Sequence, residues 1–156
     1  MNDLCKQVLA ALQGRTLVTA ESCTGGGIGT AITAIAGSSE VYKGGIISYT
    51  DWVKENLLHV EPSLLQQYGA VSEPVAAAMA RGVREQMNAD VAVSVTGLAG
   101  PGGDQFDNPV GTVYIAYCDA AVQTVVHYHF NGDRESVRHQ AAEAALQLIL
   151  KYSNNK

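Results

Sequence analysis

Strand-length apolar runs alternate with segments of helical period along this chain, and that alternation constrains the fold more than any single motif. Thr16–Ala20, Gly45–Thr50, Val91–Val95 and Val110–Cys118 read as strands, the last nearly all apolar as a central strand requires. Leu4, Val8, Leu9 and Leu12 recur at helical spacing before Gly14, and a second helix runs to about Ala36, where Gly37 stops it. Asp51 is placed to cap a helix carrying Trp52, Val53, Leu57 and Leu58, and Pro62 opens another. Ser72-Glu73-Pro74 starts a longer helix with Val75, Met79 and Val83 on one face. Val122, Thr124, Val126, Tyr128 and Phe130 share one face of a last strand, and Gly132-Asp133 turns into a C-terminal helix with Val137, Ala141 and Leu148 inward. Strands alternating with helices predict a three-layer α/β domain, partly antiparallel because the final strands are adjacent.

The 156 residues suit one domain, 1–156, and 47% hydrophobic content supplies a core. A net charge of −5 with no dense Lys/Arg block argues against nucleic acid as a partner. A small anion remains within reach of local basic groups and backbone amides. Cys5, Cys23 and Cys118 are odd in number and form no C-x-x-C pair, which disfavours a disulfide framework or a zinc site. His127 and His129 share a strand face without a Cys or carboxylate cluster, so no metal is expected. No signal-like or membrane-length apolar stretch occurs, and the expected setting is cytoplasmic, with no membrane partner.

Several segments can carry chemistry. Thr19-Ala20-Glu21-Ser22-Cys23-Thr24-Gly25-Gly26 falls between a strand and a helix. Hydroxyls and free N–H groups there suit an anion or a developing oxyanion; a helix cap followed by close-packed glycines is the equal alternative. Neither G-x-G-x-x-G nor the Walker pattern is present, since Thr30 stands where the last glycine belongs and Lys43 precedes Gly44. Thr96-Gly97-Leu98-Ala99-Gly100-Pro101-Gly102-Gly103 follows a strand and opens a loop to Pro109 holding four glycines and two prolines. Open α/β sheets bind ligands at such strand ends, and a long loop in a compact domain is often functional.

A serine nucleophile needs a base, and no Ser-His-Asp set stands out. Lysine serves if it is neutral, with a tyrosine relaying the proton. Ser39, Tyr49 and Lys54 form one such set, with Lys43 as rival base; the alternative is a turn serine, a half-buried tyrosine and a solvated lysine. Arg134 in Gly132-Asp133-Arg134 and Arg138 share a helix face; either can clamp a phosphate, though a solvated face suits Arg138 better.

Together these segments resemble the C-terminal domain of the CinA family and its stand-alone relatives known as PncC, nicotinamide mononucleotide deamidases. The matching pieces are TAESCTGG at Thr19–Gly26, GSS at Gly37–Ser39, SYT with its lysine at Ser48–Lys54, GAVSE at Gly69–Glu73, TGLAGPGG at Thr96–Gly103, PVGTV at Pro109–Val113 and GDR at Gly132–Arg134. They cover nearly the whole chain in order. The N-terminal domain of full-length CinA is missing from the 156 residues, so the likeness is to the stand-alone form.

The resemblance implies an α/β/α sandwich with a mixed, mostly parallel sheet, a homo-oligomer, and hydrolysis of nicotinamide mononucleotide to nicotinate mononucleotide and ammonia in pyridine nucleotide salvage, without a metal or other cofactor. It also implies roles. Ser39 is the expected nucleophile, and Tyr49 and Lys54 the base system. Ser22, Thr24, Gly25, Gly26, Thr96, Gly97, Ala99 and Gly100 are expected around the substrate or its oxyanion, and Arg134 on the substrate. His59 and Asn108 stand where relatives commonly carry glycine and lysine, and loss of the lysine removes one expected phosphate contact. Two rival readings follow from the residues alone. One is a phosphate-bond hydrolase with Mg²⁺ on Asp104 and Asp107; the other is a non-catalytic nucleotide-binding or partner-binding module.

Overall fold

The structure is a computed structural model that describes residues 1–153. Strands β1 (Leu17–Glu21), β2 (Tyr42–Ile47), β3 (Val91–Gly97), β4 (Thr112–Cys118) and β5 (Gln123–His129) form one sheet in the order β2-β1-β3-β4-β5. β1 pairs in parallel with β2 and β3, whereas β3–β4 and β4–β5 are antiparallel. β4 alone therefore runs against the other strands, which is the mixed sheet that the adjacent final strands predict.

Helices α1 (Asn2–Ala11), α2 (Gly27–Thr33) and α6 (Arg134–Ser153) cover one face, and α4 (Pro62–Tyr68) and α5 (Glu73–Gln86) the other. The strand pleat explains this division. On β3, Val91, Val93 and Val95 join the core under α1, α2 and α6. Ala92 packs towards α5, and Ser94 on the same side donates its hydroxyl to the Ala76 carbonyl of α5 at 2.6 Å. Small residues on that side let α5 sit close. Gly82 of α5 packs instead against the connection before α4, where any side chain would collide with the Leu58 carbonyl oxygen. Val137, Ala141 and Leu148 of α6 are buried as their periodicity predicts.

Some boundaries differ from the sequence expectation for local reasons. β2 begins at Tyr42 rather than Gly45, because Tyr42–Ile47 pairs along the whole of β1 and the Tyr42 hydroxyl lies 2.7 Å from Thr19 Oγ1. Asp51 is the first residue of α3 (Asp51–Asn56), Thr50 takes the N-cap position, and neither side chain makes a capping bond. Ser72 precedes α5 as expected, but its hydroxyl turns back to the Gly69 carbonyl at 2.9 Å. β4 begins only at Thr112, since Gly111 adopts φ +96° and donates to Leu98 O. No helix of the described residues is long and apolar enough to cross a membrane.

Candidate active site

The carboxyl ends of β1, β2 and β3 converge on a cleft of about 620 Å³. That size falls within the roughly 300–1,000 Å³ of small-molecule sites, and the position is where open α/β sheets bind ligands. One wall holds Ser22, Tyr49, Asp51, Lys54 and Arg134; the other is the glycine-rich stretch from Thr96 to Phe106, with Leu65 and Gly69–Val71 beneath it.

Lys54 is the buried cation of the cleft. It projects from α3 back under the cleft and is only 1% exposed. Its Nζ donates to the Ser48 carbonyl at 2.7 Å and lies 3.1 Å from Ser22 Oγ. Burial pulls its pKa below the ordinary lysine value, against the opposing pull of Asp51 and Cys23. A lysine placed this way reaches its neutral, basic form at lower pH than a solvated one. Burial pushes the thiol of Cys23, next to Ser22, up to about 11, which keeps it protonated at neutral pH.

Ser22 is held by its surroundings. Its N–H donates to Val95 O of β3, and the carboxylate of Glu21, buried at the end of β1, organises the turn that follows. Glu21 Oε1 accepts from Thr24 Oγ1 at 2.7 Å and from the Ile28 N–H at 2.9 Å, while Oε2 accepts from the Gly29 N–H at 3.0 Å. The hydroxyl of Thr24 thus braces the loop and points away from the cleft. Gly25 and Gly26 line a neighbouring depression against α6.

The structure brings Lys54, Tyr49, Ser22, Thr96, Gly97, Ala99, Gly100 and Arg134 to the cleft, and it does not bring Ser39 there. Ser39 is exposed on a one-turn 3₁₀ helix, Ser38–Glu40, at the starting end of β2. Lys54 follows the far end of that strand. The six residues of β2, at roughly 3.3 Å each, span about 20 Å from the end beside Ser39 to the end beside Lys54. Lys43 is exposed near that same starting end, with its Nζ towards the Asn88 carbonyl.

Tyr49 is 58% exposed, and its hydroxyl accepts from Arg134 Nη2 at 3.0 Å. Arg134 Nη1 donates to the Gly100 carbonyl at 2.8 Å, so the pair spans the rim from β2 to the glycine loop. Thr96 shapes the floor by donating its hydroxyl to Ala70 O at 2.8 Å. Asp104 folds the loop tip, accepting from the N–H groups of Phe106 and Asn108 and from Asn108 Nδ2. Asn108 Nδ2 also reaches Val71 O, which ties the loop to the opposite layer.

Sequence reasoning assigned no role to Glu21 and read Arg138 as solvated. Arg138 in fact donates from Nε to Cys23 O at 3.0 Å and from Nη2 to Thr24 O at 3.3 Å. The signal available was an acid inside a hydroxyl- and glycine-rich turn. His59 lies 3.1 Å from Gln86 Oε1, and His127 stacks on Tyr114. Among the described residues no cluster of three or more His, Cys, Asp or Glu side chains is arranged to hold a metal.

Fold and cleft together define an α/β protein with a buried serine–lysine pair in a ligand-sized site. The chain belongs to the CinA C-terminal domain family, whose sequence pattern matches residues 1–153. A CinA-like protein of Syntrophomonas wolfei is 44% identical over 99% of this chain, which spans 38% of that relative's length. A protein of Enterobacter agglomerans named nicotinamide-nucleotide amidohydrolase PncC is 48% identical over 97% of this chain and 94% of its own. Among solved structures, a CinA superfamily protein of Klebsiella pneumoniae superposes with a TM-score of 0.96 at 33% identity, covering 99% of this chain and 98% of that one. The competence/damage-inducible protein of Agrobacterium tumefaciens superposes with a TM-score of 0.90 at 36% identity, covering 99% and 95%.

Proposed function

We propose that this protein is a serine amidohydrolase that converts nicotinamide mononucleotide to nicotinate mononucleotide and ammonia, with Ser22 as nucleophile and Lys54 as base. The observation that carries the reading is the 3.1 Å approach of a 1%-exposed lysine ammonium to a serine hydroxyl at the floor of the cleft. The Enterobacter relative's printed name supports the substrate class.

The chemistry follows from the geometry. Neutral Lys54 takes the Ser22 proton as Oγ attacks the carboxamide carbon. The negative charge moves to the former carbonyl oxygen, and the backbone of the Ser22 and glycine-rich loops is the source of donors for it. Lysine returns its proton to the departing nitrogen, which leaves as ammonia. The acyl-serine is then hydrolysed by a water that Lys54 deprotonates, releasing the carboxylate and regenerating Ser22. The Ser48 carbonyl holds the amine in place through both steps. Arg134 and Tyr49 at the rim are suited to the anionic, hydroxyl-bearing part of the nucleotide. Nothing in this sequence of steps calls on a metal, and the reading sets the reaction in cytoplasmic pyridine nucleotide salvage.

The direct test is release of ammonia and nicotinate mononucleotide from nicotinamide mononucleotide by wild type, Ser22→Ala and Ser39→Ala. Turnover in wild type and Ser39→Ala but not Ser22→Ala is expected. Turnover surviving in Ser22→Ala would overturn the assignment of the nucleophile.

A further inference from the structure

Arg134 and Arg138 stand one turn apart on α6, and each takes hold of a different loop. Arg134 binds the Gly100 carbonyl of the glycine-rich loop. Arg138 binds the Cys23 and Thr24 carbonyls, immediately after Ser22. The i, i+4 spacing puts both guanidinium groups on one face of the helix. One helix therefore ties down both segments that wall the cleft.

The Ser22 loop is gripped from two sides. Beneath it, the buried Glu21 carboxylate accepts from Thr24 Oγ1 and from the N–H groups of Ile28 and Gly29. Above it, Arg138 takes the carbonyls that the turn leaves pointing outward. Gly25 completes the fit: its φ is +60°, and a Cβ there would stand 3.2 Å from Arg138 Nη2. Lys54 is anchored by the Ser48 carbonyl after β2, and the Ser48 N–H donates in turn to Glu21 O at the end of β1, so the base is tied to the strand ends and not to the turn that follows Ser22. A shift of the Ser22 loop would thus carry the hydroxyl away from its base without moving the base.

We infer that Arg138 is a positioning residue for the reaction, holding the Cys23 and Thr24 carbonyls so that the Ser22 hydroxyl stays against Lys54. The inference rests on Ser22 being the nucleophile. It predicts an effect on turnover rather than on substrate binding, because Arg138 touches the loop's outer side. It also predicts that lysine cannot substitute, since a compact ammonium lacks the fork that reaches two carbonyls at once.

The experiment compares wild type, Arg138→Ala and Arg138→Lys in steady-state kinetics on nicotinamide mononucleotide, with and without guanidinium far below denaturing concentration. Amide hydrogen exchange is followed in the same proteins. Arg138→Ala is expected to lose roughly 10- to 100-fold in kcat with KM within about twofold, the cost of misplacing a reacting group by a fraction of an ångström. Guanidinium restores part of the loss, and Arg138→Lys stays impaired. The Gly25 and Gly27 amides, which close the turn onto Ser22 O and Thr24 O, exchange faster while the β3 amides do not. Unchanged kcat in Arg138→Ala overturns the inference. So does a loss that guanidinium leaves untouched and that comes with faster exchange throughout β3 and α6. If wild type turns over no nicotinamide mononucleotide, the functional reading fails by itself and exchange alone judges the clamp. Unchanged protection at Gly25 and Gly27 then overturns it, and faster exchange confined there sustains it.

Discussion

The Nζ of Lys54 lies 3.1 Å from Ser22 Oγ although the two residues come from different loops, one after β2 and one after β1. Parallel pairing of those strands brings both loops to the same end of the sheet. Removing the hydroxyl with Ser22→Ala should slow turnover at least ~10³-fold, as loss of an activated nucleophile does elsewhere. Ser39→Ala should retain kcat and KM within about twofold. Steady-state ammonia release distinguishes the two.

The lowered pKa of Lys54 gives the pH profile a definite sign. The base must be neutral, so kcat/KM should rise with pH along an acid-side limb and level off below the ordinary lysine value of 10.5. A rate flat from pH 6 to 9 would remove Lys54 from the role of base.

The same shift bears on stability. A lysine whose folded pKa is lowered binds fewer protons folded than unfolded between the two values, so its burial opposes folding at neutral pH and does so less as pH rises. Lys54→Met should abolish turnover and should lack this rise. Chemical denaturation between pH 7 and 10 should show wild type gaining stability relative to the variant; parallel curves would mean that Lys54 titrates normally.

Thr96 separates a structural hydroxyl from a catalytic one. Its side chain donates to Ala70 O, so Thr96→Val should cost about 1 kcal/mol of stability and loosen the cleft floor, raising KM more than it lowers kcat. Turnover slowed by about 10²-fold or more with unchanged KM would instead mark Thr96 as an oxyanion donor.

Asp119 supplies a control far from the chemistry. It accepts from Tyr117 Oη at 2.6 Å and from the N–H groups of Ala121 and Val122 at the β4–β5 turn. Asp119→Ala should lower unfolding free energy by about 2–4 kcal/mol, because the buried Tyr117 hydroxyl and the two turn N–H groups lose their acceptor. Turnover measured well below the melting temperature should be unchanged.

Much of the architecture was legible because it rests on local pattern. The alternation of Val91, Val93 and Val95, the apolar run ending at Cys118 and the spacing of Val137, Ala141 and Leu148 each find their expected face. The glycine-rich loop was legible as a cleft component because strand-end loops of an α/β sheet gather at one end, and Arg134 through the GDR motif.

The pairing of groups across the site was not legible. Ser39 is nearer than Ser22 to Lys54 along the chain, and a reader of spacing prefers it. Yet Ser39 precedes β2 and Lys54 follows it, and an extended strand is the longest spacer a chain can place between two residues. Where β2 begins was itself decided by pairing with β1, which recruits Tyr42 into the strand across an irregularity at Lys43. Arg138 was obscured in the same way, because its targets lie more than a hundred residues back in sequence.

The sequence by itself determined the order of elements, the residues available for chemistry and the family, since periodicity, turn chemistry and motifs are properties of neighbours along the chain. Tertiary structure decided which serine meets the lysine, how far that lysine is stripped of water and which arginine braces the loop. Those outcomes depend on strand order and burial, which bring residues distant in sequence within hydrogen-bond reach.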